Sequence, residues 1–142
     1  MKKLVFVFLL AFALALCLSA CTANSAQETF IGLAYTLSDD GTYYSVSGIG
    51  NCKDTDIFIP LMHNGLPVKE IASQAFYDCH SLTSVVIPDS VTSIGVGAFS
   101  SCTGLKNIYY RGTASQWEAI SKGSNWNSGT GSFEMTYNYT GK

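Results

Sequence analysis

Two stretches of this chain nearly repeat one another. VKEIASQAFYDCHSL begins at Val68 and VTSIGVGAFSSCTGL at Val91. Val68 matches Val91, Ile71 matches Ile94, and Ala75-Phe76 matches Ala98-Phe99, always at one constant offset. The register continues through Cys79 and Cys102, Leu82 and Leu105, Val85 and Ile108, and Ile87 and Tyr110. A fixed self-similarity of this length marks stacked coils, each supplying a strand and a more compact return segment. One such coil cannot bury enough apolar surface to offset the entropy of ordering itself. Stacked coils share backbone hydrogen bonds and bury both faces of each apolar layer.

A partial third copy lies upstream. Ile57-Phe58-Ile59-Pro60 matches Val85-Val86-Ile87-Pro88 with a longer offset. The extra length fits 61–65, where Asn64-Gly65 is a two-residue hairpin signal because both positions tolerate positive φ. A hairpin protruding from the first coil is expected. With barely three coils, the ends must contribute much of the stability. Residues 33–50 hold two strand-like runs around Asp39-Asp40-Gly41, with Leu33, Tyr35 and Leu37 on one face, and predict a hairpin cap. Thr113 and Gln116 form a capping-box pattern ahead of Trp117, Ala119 and Ile120, predicting a short helix closed near Gly123. Residues 133–139 alternate apolar and polar and predict a final edge strand.

The repeats resemble the BspA-type leucine-rich repeats of bacterial surface proteins. Residues 71–110 carry the likeness in the pattern I-x-x-x-A-F-x-x-C-x-x-L-x-x-I/V-x-I-P. Residues 32–50 and 109–121 are similar to the flanks often seen around such repeats. The resemblance implies an exported, surface-displayed solenoid that contacts other cells, matrix proteins or glycans. Members of the family are usually longer. Tyr110-Arg111 stands where the first copy has Ile87-Pro88, and is read as the end of the repeats. The expected fold is α+β: a short right-handed leucine-rich-repeat solenoid with a parallel sheet face, an N-terminal hairpin cap and a C-terminal helix–strand cap.

Lys2 and Lys3 precede the apolar run LVFVFLLAFALALCL and a small-residue site, the layout of a secretory signal. The run is short for a bilayer-spanning helix, which leaves a retained anchor as the alternative. Leu18-Ser19-Ala20-Cys21 resembles the lipobox of bacterial lipoproteins, which implies lipidation of Cys21 and tethering to the outer face of the bacterial membrane. The alternative is ordinary secretion with Cys21 left as a thiol. The resulting organisation is a signal peptide over 1–20, a polar tether over 21–29, the N-terminal cap over 30–56, repeats over 57–112 and the C-terminal cap over 113–142. Losing Lys2 and Lys3 takes the formal net charge from −2 to −4, and no basic stripe exists. Nucleic acid and anionic lipid are therefore poor partners.

Cys52, Cys79 and Cys102 are odd in number and lack the close ligand pairs of a zinc site. They predict a column of buried thiols, one per coil. The rung spacing of about 4.8 Å also permits a disulfide between neighbours. Cys79-His80 superficially suggests a thiol–imidazole pair, but neighbouring side chains in a coil point to different sides, and no substrate pocket is evident. His63 falls in the predicted hairpin. Asp54 and Asp56 lack the glycine and glutamate of an EF-hand. No catalytic residue, metal site or cofactor is implied.

The strand alternation is more informative. With Ile57 and Ile59 inward, Asp56 and Phe58 face out, followed by Ser84 and Val86, then Asn107 and Tyr109, then Thr136. An exposed column Phe58–Val86–Tyr109–Thr136 is expected across the sheet, either as a ligand face or as packing beneath another segment. Tyr43, Tyr44 and Trp126 offer either a sugar-stacking surface or cap core. The leading functional expectation is a non-enzymatic, lipid-anchored adhesion module that binds protein through the sheet face. The alternatives are an envelope glycan-binding module and an inactive remnant of a longer adhesin.

Overall fold

The computed structural model describes residues 32–50 and 54–141. The signal, the lipobox with Cys21, and Cys52 lie outside the described residues. Strands dominate. In chain order they are β1 (Ala34–Leu37), β2 (Tyr44–Gly48), β3 (Asp56–Phe58), β4 (Met62–His63), β5 (Leu66–Ile71), β6 (Ser84–Ile87), β7 (Ser93–Ile94) and β8 (Asn107–Tyr110). The helix α1 (Ala114–Ala119) then leads to β9 (Ser121–Lys122) and β10 (Glu134–Thr136). Together they form a β-solenoid of about four turns.

The chain alternates between two walls. One is the sheet β1-β2-β5-β7-β9, with β4 attached to β5; the other is β10-β8-β6-β3. Every pair within the second wall is parallel, as continuous winding requires. Val85 lies opposite Ile108 and Ile71 opposite Ile94, so the constant offset of the repeat is the length of one winding. Ile57 lies opposite Val85 across a longer winding, and the excess is taken up by the hairpin β4–β5. Its turn residues Asn64 and Gly65 have φ of 47° and 82°, as a two-residue turn demands.

The return segments form a third laddered surface. The Phe76 amide donates to Ala98 O at 2.8 Å, and the Phe99 amide to Trp126 O at 2.7 Å. Left-handed residues recur in register: Gln74, Gly97 and Asn125 at one corner, and Asp78, Ser101 and Gly129 at the next. The winding therefore continues past Arg111. Parallel pairing carries β9 onto β7 and β10 onto β8, and the last coil, like the first, is longer than the repeat between them. The extra length holds α1. Trp126 takes the place of the repeat phenylalanine, meeting Phe99 edge-on at 6.2 Å.

Inside, the coils stack as the sequence demands. Phe76 and Phe99 lie ring on ring, with centroids 5.0 Å apart and planes 11° from parallel. Val68, Ile71, Leu82, Val85, Ile87, Ile94, Leu105 and Ile108 are all buried with them. Burying such aliphatic side chains stabilises by roughly 1.5–3 kcal/mol each before entropy is counted.

Both ends are closed by the expected devices. In the N-terminal hairpin Leu33 and Tyr35 pack on the core, whereas Leu37 stays 45% exposed beside the turn, beyond a register shift between Ala34 and Tyr35. At the other end the Gln116 amide donates to Thr113 Oγ1 at 3.2 Å, and the Thr113 amide to Gln116 Oε1 at 2.8 Å. This capping box starts α1, which buries Trp117 and delivers Ile120 to the core. The helix ends at Ala119, ahead of Gly123, because Ile120 turns extended and the chain enters β9. Lys122 Nζ donates to Ile120 O and to Trp117 O, which also accepts from the Ile120 amide, so the side chain closes over the helix end. The final strand spans Glu134–Thr136, shorter than the alternating run. Asn138 adopts a left-handed φ of 53° and turns the tail back across the second wall.

Candidate functional site

The outward face of the second wall carries two parallel rows. Phe58 pairs with Val86, Val86 with Tyr109, and Tyr109 with Thr136. Two positions earlier along each strand, Asp56 pairs with Ser84, Ser84 with Asn107, and Asn107 with Glu134. Alternation puts both rows on one side, one largely apolar and one polar.

The apolar row is not an open strip. Phe58 and Tyr109 are half-buried, Thr136 is exposed, and Val86 is only 7% exposed. Of the two readings left open for this column, ligand face or packing beneath another segment, the second applies at least to Val86. The covering groups come from the C-terminal side. The Arg111 guanidinium lies over the Phe58 ring, 4.7 Å from its centroid. Tyr139 lies on Tyr109, with centroids 4.5 Å apart. The tail is pinned there: the Tyr139 amide donates to Tyr110 O, the Asn138 amide to Gly112 O, and Arg111 Nη2 to Gly141 O at 3.2 Å. Sequence reasoning missed this cover because it read 133–139 as a straight strand. An asparagine in an otherwise alternating run was the available signal.

The polar row is internally organised. Ser84 Oγ donates to Asp56 Oδ1 at 2.6 Å, Thr83 Oγ1 to the same oxygen at 2.9 Å, and Thr55 Oγ1 to Oδ2 at 3.1 Å. These hydroxyls, Ser84 foremost, hold the Asp56 carboxyl below the usual range, so it is an anion at neutral pH. Glu134 brings a second exposed carboxylate to the far end of the row.

The remaining candidate residues separate. Cys102 is a buried thiol that donates to Phe76 O at 2.9 Å, and burial pushes its pKa up to about 11. Cys79, one winding earlier, is half-buried against the core. His80 turns to solvent, its Nδ1 3.4 Å from Asp78 Oδ1. The Cys79 thiol donates to Tyr77 O at 3.7 Å and His80 Nδ1 lies 2.8 Å from Asp78 O, so the adjacent cysteine and histidine are engaged with different groups. Among the described residues no group of three or more His, Cys, Asp or Glu side chains could hold a metal ion. His63 packs into the N-terminal cap, stacked on Tyr35 at 3.8 Å and edge-on to Tyr44 at 4.8 Å. Trp126 likewise packs among Phe99, Trp117 and Phe133. Tyr44 and Trp126 are therefore cap packing.

A family model described as the BspA type leucine rich repeat region (6 copies) matches residues 51–136, more than half the chain. Among solved structures, a leucine rich cell surface protein from Faecalibacterium prausnitzii A2-165 is 29% identical with a TM-score of 0.52; the match covers 67% of this chain and 26% of that one. A leucine-rich repeat protein from Bacteroides capillosus is 24% identical with a TM-score of 0.51, covering 73% of this chain and 94% of that one. The T. pallidum leucine rich repeat protein is 35% identical with a TM-score of 0.48, covering 54% of this chain and 40% of that one. This chain therefore spans well under two thirds of the T. pallidum and F. prausnitzii proteins. No match was found among curated protein sequences.

Proposed function

The chain belongs to the BspA-type leucine-rich repeat family, and from that premise we propose that it is a non-enzymatic interaction module of the bacterial cell surface. It contacts protein ligands through the outward face of its all-parallel wall. The observation that carries this reading is the pair of rows on that face: Phe58–Val86–Tyr109–Thr136 beside Asp56–Ser84–Asn107–Glu134, in register over four strands. An apolar row flanked by polar groups on a rigid ladder is the composition of a protein-binding patch. Rigid strands also hold their side chains with little entropy left to lose on binding. The Faecalibacterium relative, described as a cell surface protein, supports placement outside the cell. The lipobox-like Leu18-Ser19-Ala20-Cys21 supports attachment through acyl chains on Cys21.

The test uses the soluble domain on beads against proteins stripped from bacterial and host cell surfaces. Phe58→Ser and Tyr109→Ser together should abolish capture while the circular dichroism spectrum is retained. Capture that survives both changes would sink the proposed face. Capture that resists protease treatment of the extract but is lost on deglycosylation would replace the protein ligand with a glycan. Anchoring is tested separately, by incorporation of labelled palmitate that should vanish in Cys21→Ala.

A further inference from the structure

Arg111 is the sole arginine of the sequence. It stands where the preceding winding has Pro88, and its backbone N–H donates to Ile87 O at 3.0 Å. From that root the side chain crosses a whole rung to reach the Phe58 ring at 4.7 Å. Two groups fix its guanidinium: the Phe58 face and the Gly141 carbonyl that accepts from Nη2. Its Nε is buried without a hydrogen-bond partner. Among the described residues the one ion pair is His80 with Asp78, and none of their side-chain carboxylates pairs with Arg111. A planar, permanently charged fork has thus been ordered and partly desolvated on the apolar row with no acidic side chain of the described residues paired to it. Much of the ordering and desolvation that a charge-assisted contact requires is already in place, which favours an incoming carboxylate.

We propose that Arg111, set on Phe58 beside the stacked Tyr109 and Tyr139, is a carboxylate-recognition site that receives an Asp or Glu side chain of an extended segment of a protein partner. The inference rests on the protein-contact reading above and names the chemistry of that contact. The geometry favours a peptide carboxylate over an acidic sugar. A sugar needs an open aromatic face to stack on, and here one face of Phe58 is taken by the guanidinium and one face of Tyr109 by Tyr139. The Asp56–Ser84–Asn107–Glu134 row lies two positions away on the same face. Its two carboxylates would repel a uniformly acidic ligand, so the site selects one acid within an otherwise neutral or basic segment.

The experiment selects a displayed library of random peptides on the immobilised domain. Peptides carrying a single acid should be enriched, and replacing that acid by its amide in a synthetic copy should weaken binding by about tenfold or more. The amide penalty should disappear on the Arg111→Gln domain. Because Arg111 is the sole arginine, its Nε–Hε NMR signal identifies itself in the unmodified protein. It should shift with the acid peptide and not with the amide, a readout that stands even if the variant fails to fold. Equal binding of acid and amide peptides would overturn the carboxylate site while leaving the face intact. Absence of any enriched peptide would overturn the face and the site together. A shift with a polyuronate and none with peptides would overturn the assignment to protein.

Discussion

Phe99 lies on Phe76 one winding below it, rings nearly parallel, and presents its other side to Trp126 one winding above. The three rings form a continuous aromatic column through the return side of the solenoid. Because each coil contacts only its neighbours, a break in the middle of this column uncouples both interfaces at once. Phe99→Ala should cost about 3–5 kcal/mol, in the range of buried aromatic truncations. Urea denaturation of the soluble domain should show a midpoint lowered accordingly. Phe99→Leu keeps much of the apolar volume but loses the ring contacts, so it should recover only part of that loss. Full recovery in Phe99→Leu would show that the column contributes nothing beyond apolar area.

How much of this was legible follows from where the repeat dominates. The pairs Val85–Ile108 and Ile71–Ile94, the Asn64-Gly65 turn and the Thr113–Gln116 capping box all follow from residues a fixed distance apart, because their physics is local or strictly periodic. The last coil was less legible because its spacing is stretched and its signature residues are replaced. Trp126 substitutes for phenylalanine and Lys122 stands opposite Ile94. The cover over the candidate face was hidden for another reason. Arg111 follows β8 and Phe58 ends β3, two rungs apart, and their contact exists only once the coils are stacked. Tertiary contacts between unlike residues leave no periodic trace.

Gly95 marks a close approach of neighbouring coils. A Cβ there would run into the backbone of Ala72 and Ser73, neither of which can move without breaking the ladder. Gly41 has a left-handed φ of 69° at the hairpin tip, but nothing lies within 4 Å of its would-be Cβ. Gly95→Ala should therefore destabilise by about 1–3 kcal/mol through overpacking. Gly41→Ala should cost only about 1 kcal/mol of backbone strain. Thermal melts of the two variants rank the effects, and a larger loss at Gly41 would contradict the close approach of the coils.

His63 ties the protruding hairpin to the N-terminal cap through its stack on Tyr35. Burial lowers its pKa from the ordinary value of 6.5, so the folded protein disfavours the imidazolium. The unfolded chain takes up the proton first as the medium becomes acidic. The stability associated with neutral His63 is therefore full above pH 6.5 and is lost as pH falls through the depressed folded value. His63→Phe keeps an aromatic ring against Tyr35 and removes the titration. Its stability should fall less steeply than that of the unmodified domain below pH 6.5, measured by urea midpoints in a pH series. Parallel curves would show that His63 does not titrate differently in the two states.

Cys102 supplies the opposite limb. Its thiol is buried and donates to Phe76 O, and burial raises its pKa from 9.0 to about 11. For an acid with a raised folded pKa, the unfolded chain ionises first on the alkaline side. The contribution is therefore intact below about pH 9 and drains away as pH rises toward 11. Cys102→Ala should abolish that part of the alkaline loss, at the cost of a small cavity and a Phe76 carbonyl left with the Cys79 amide alone at neutral pH. The same burial predicts that Cys102 in the folded domain resists iodoacetamide at about pH 8, while the unfolded chain is alkylated readily. Peptide mapping by mass spectrometry after brief labelling distinguishes Cys102 from the other cysteines. Rapid modification under native conditions would mean that the coils open at Phe76 and Phe99 far more often than a stacked aromatic column allows.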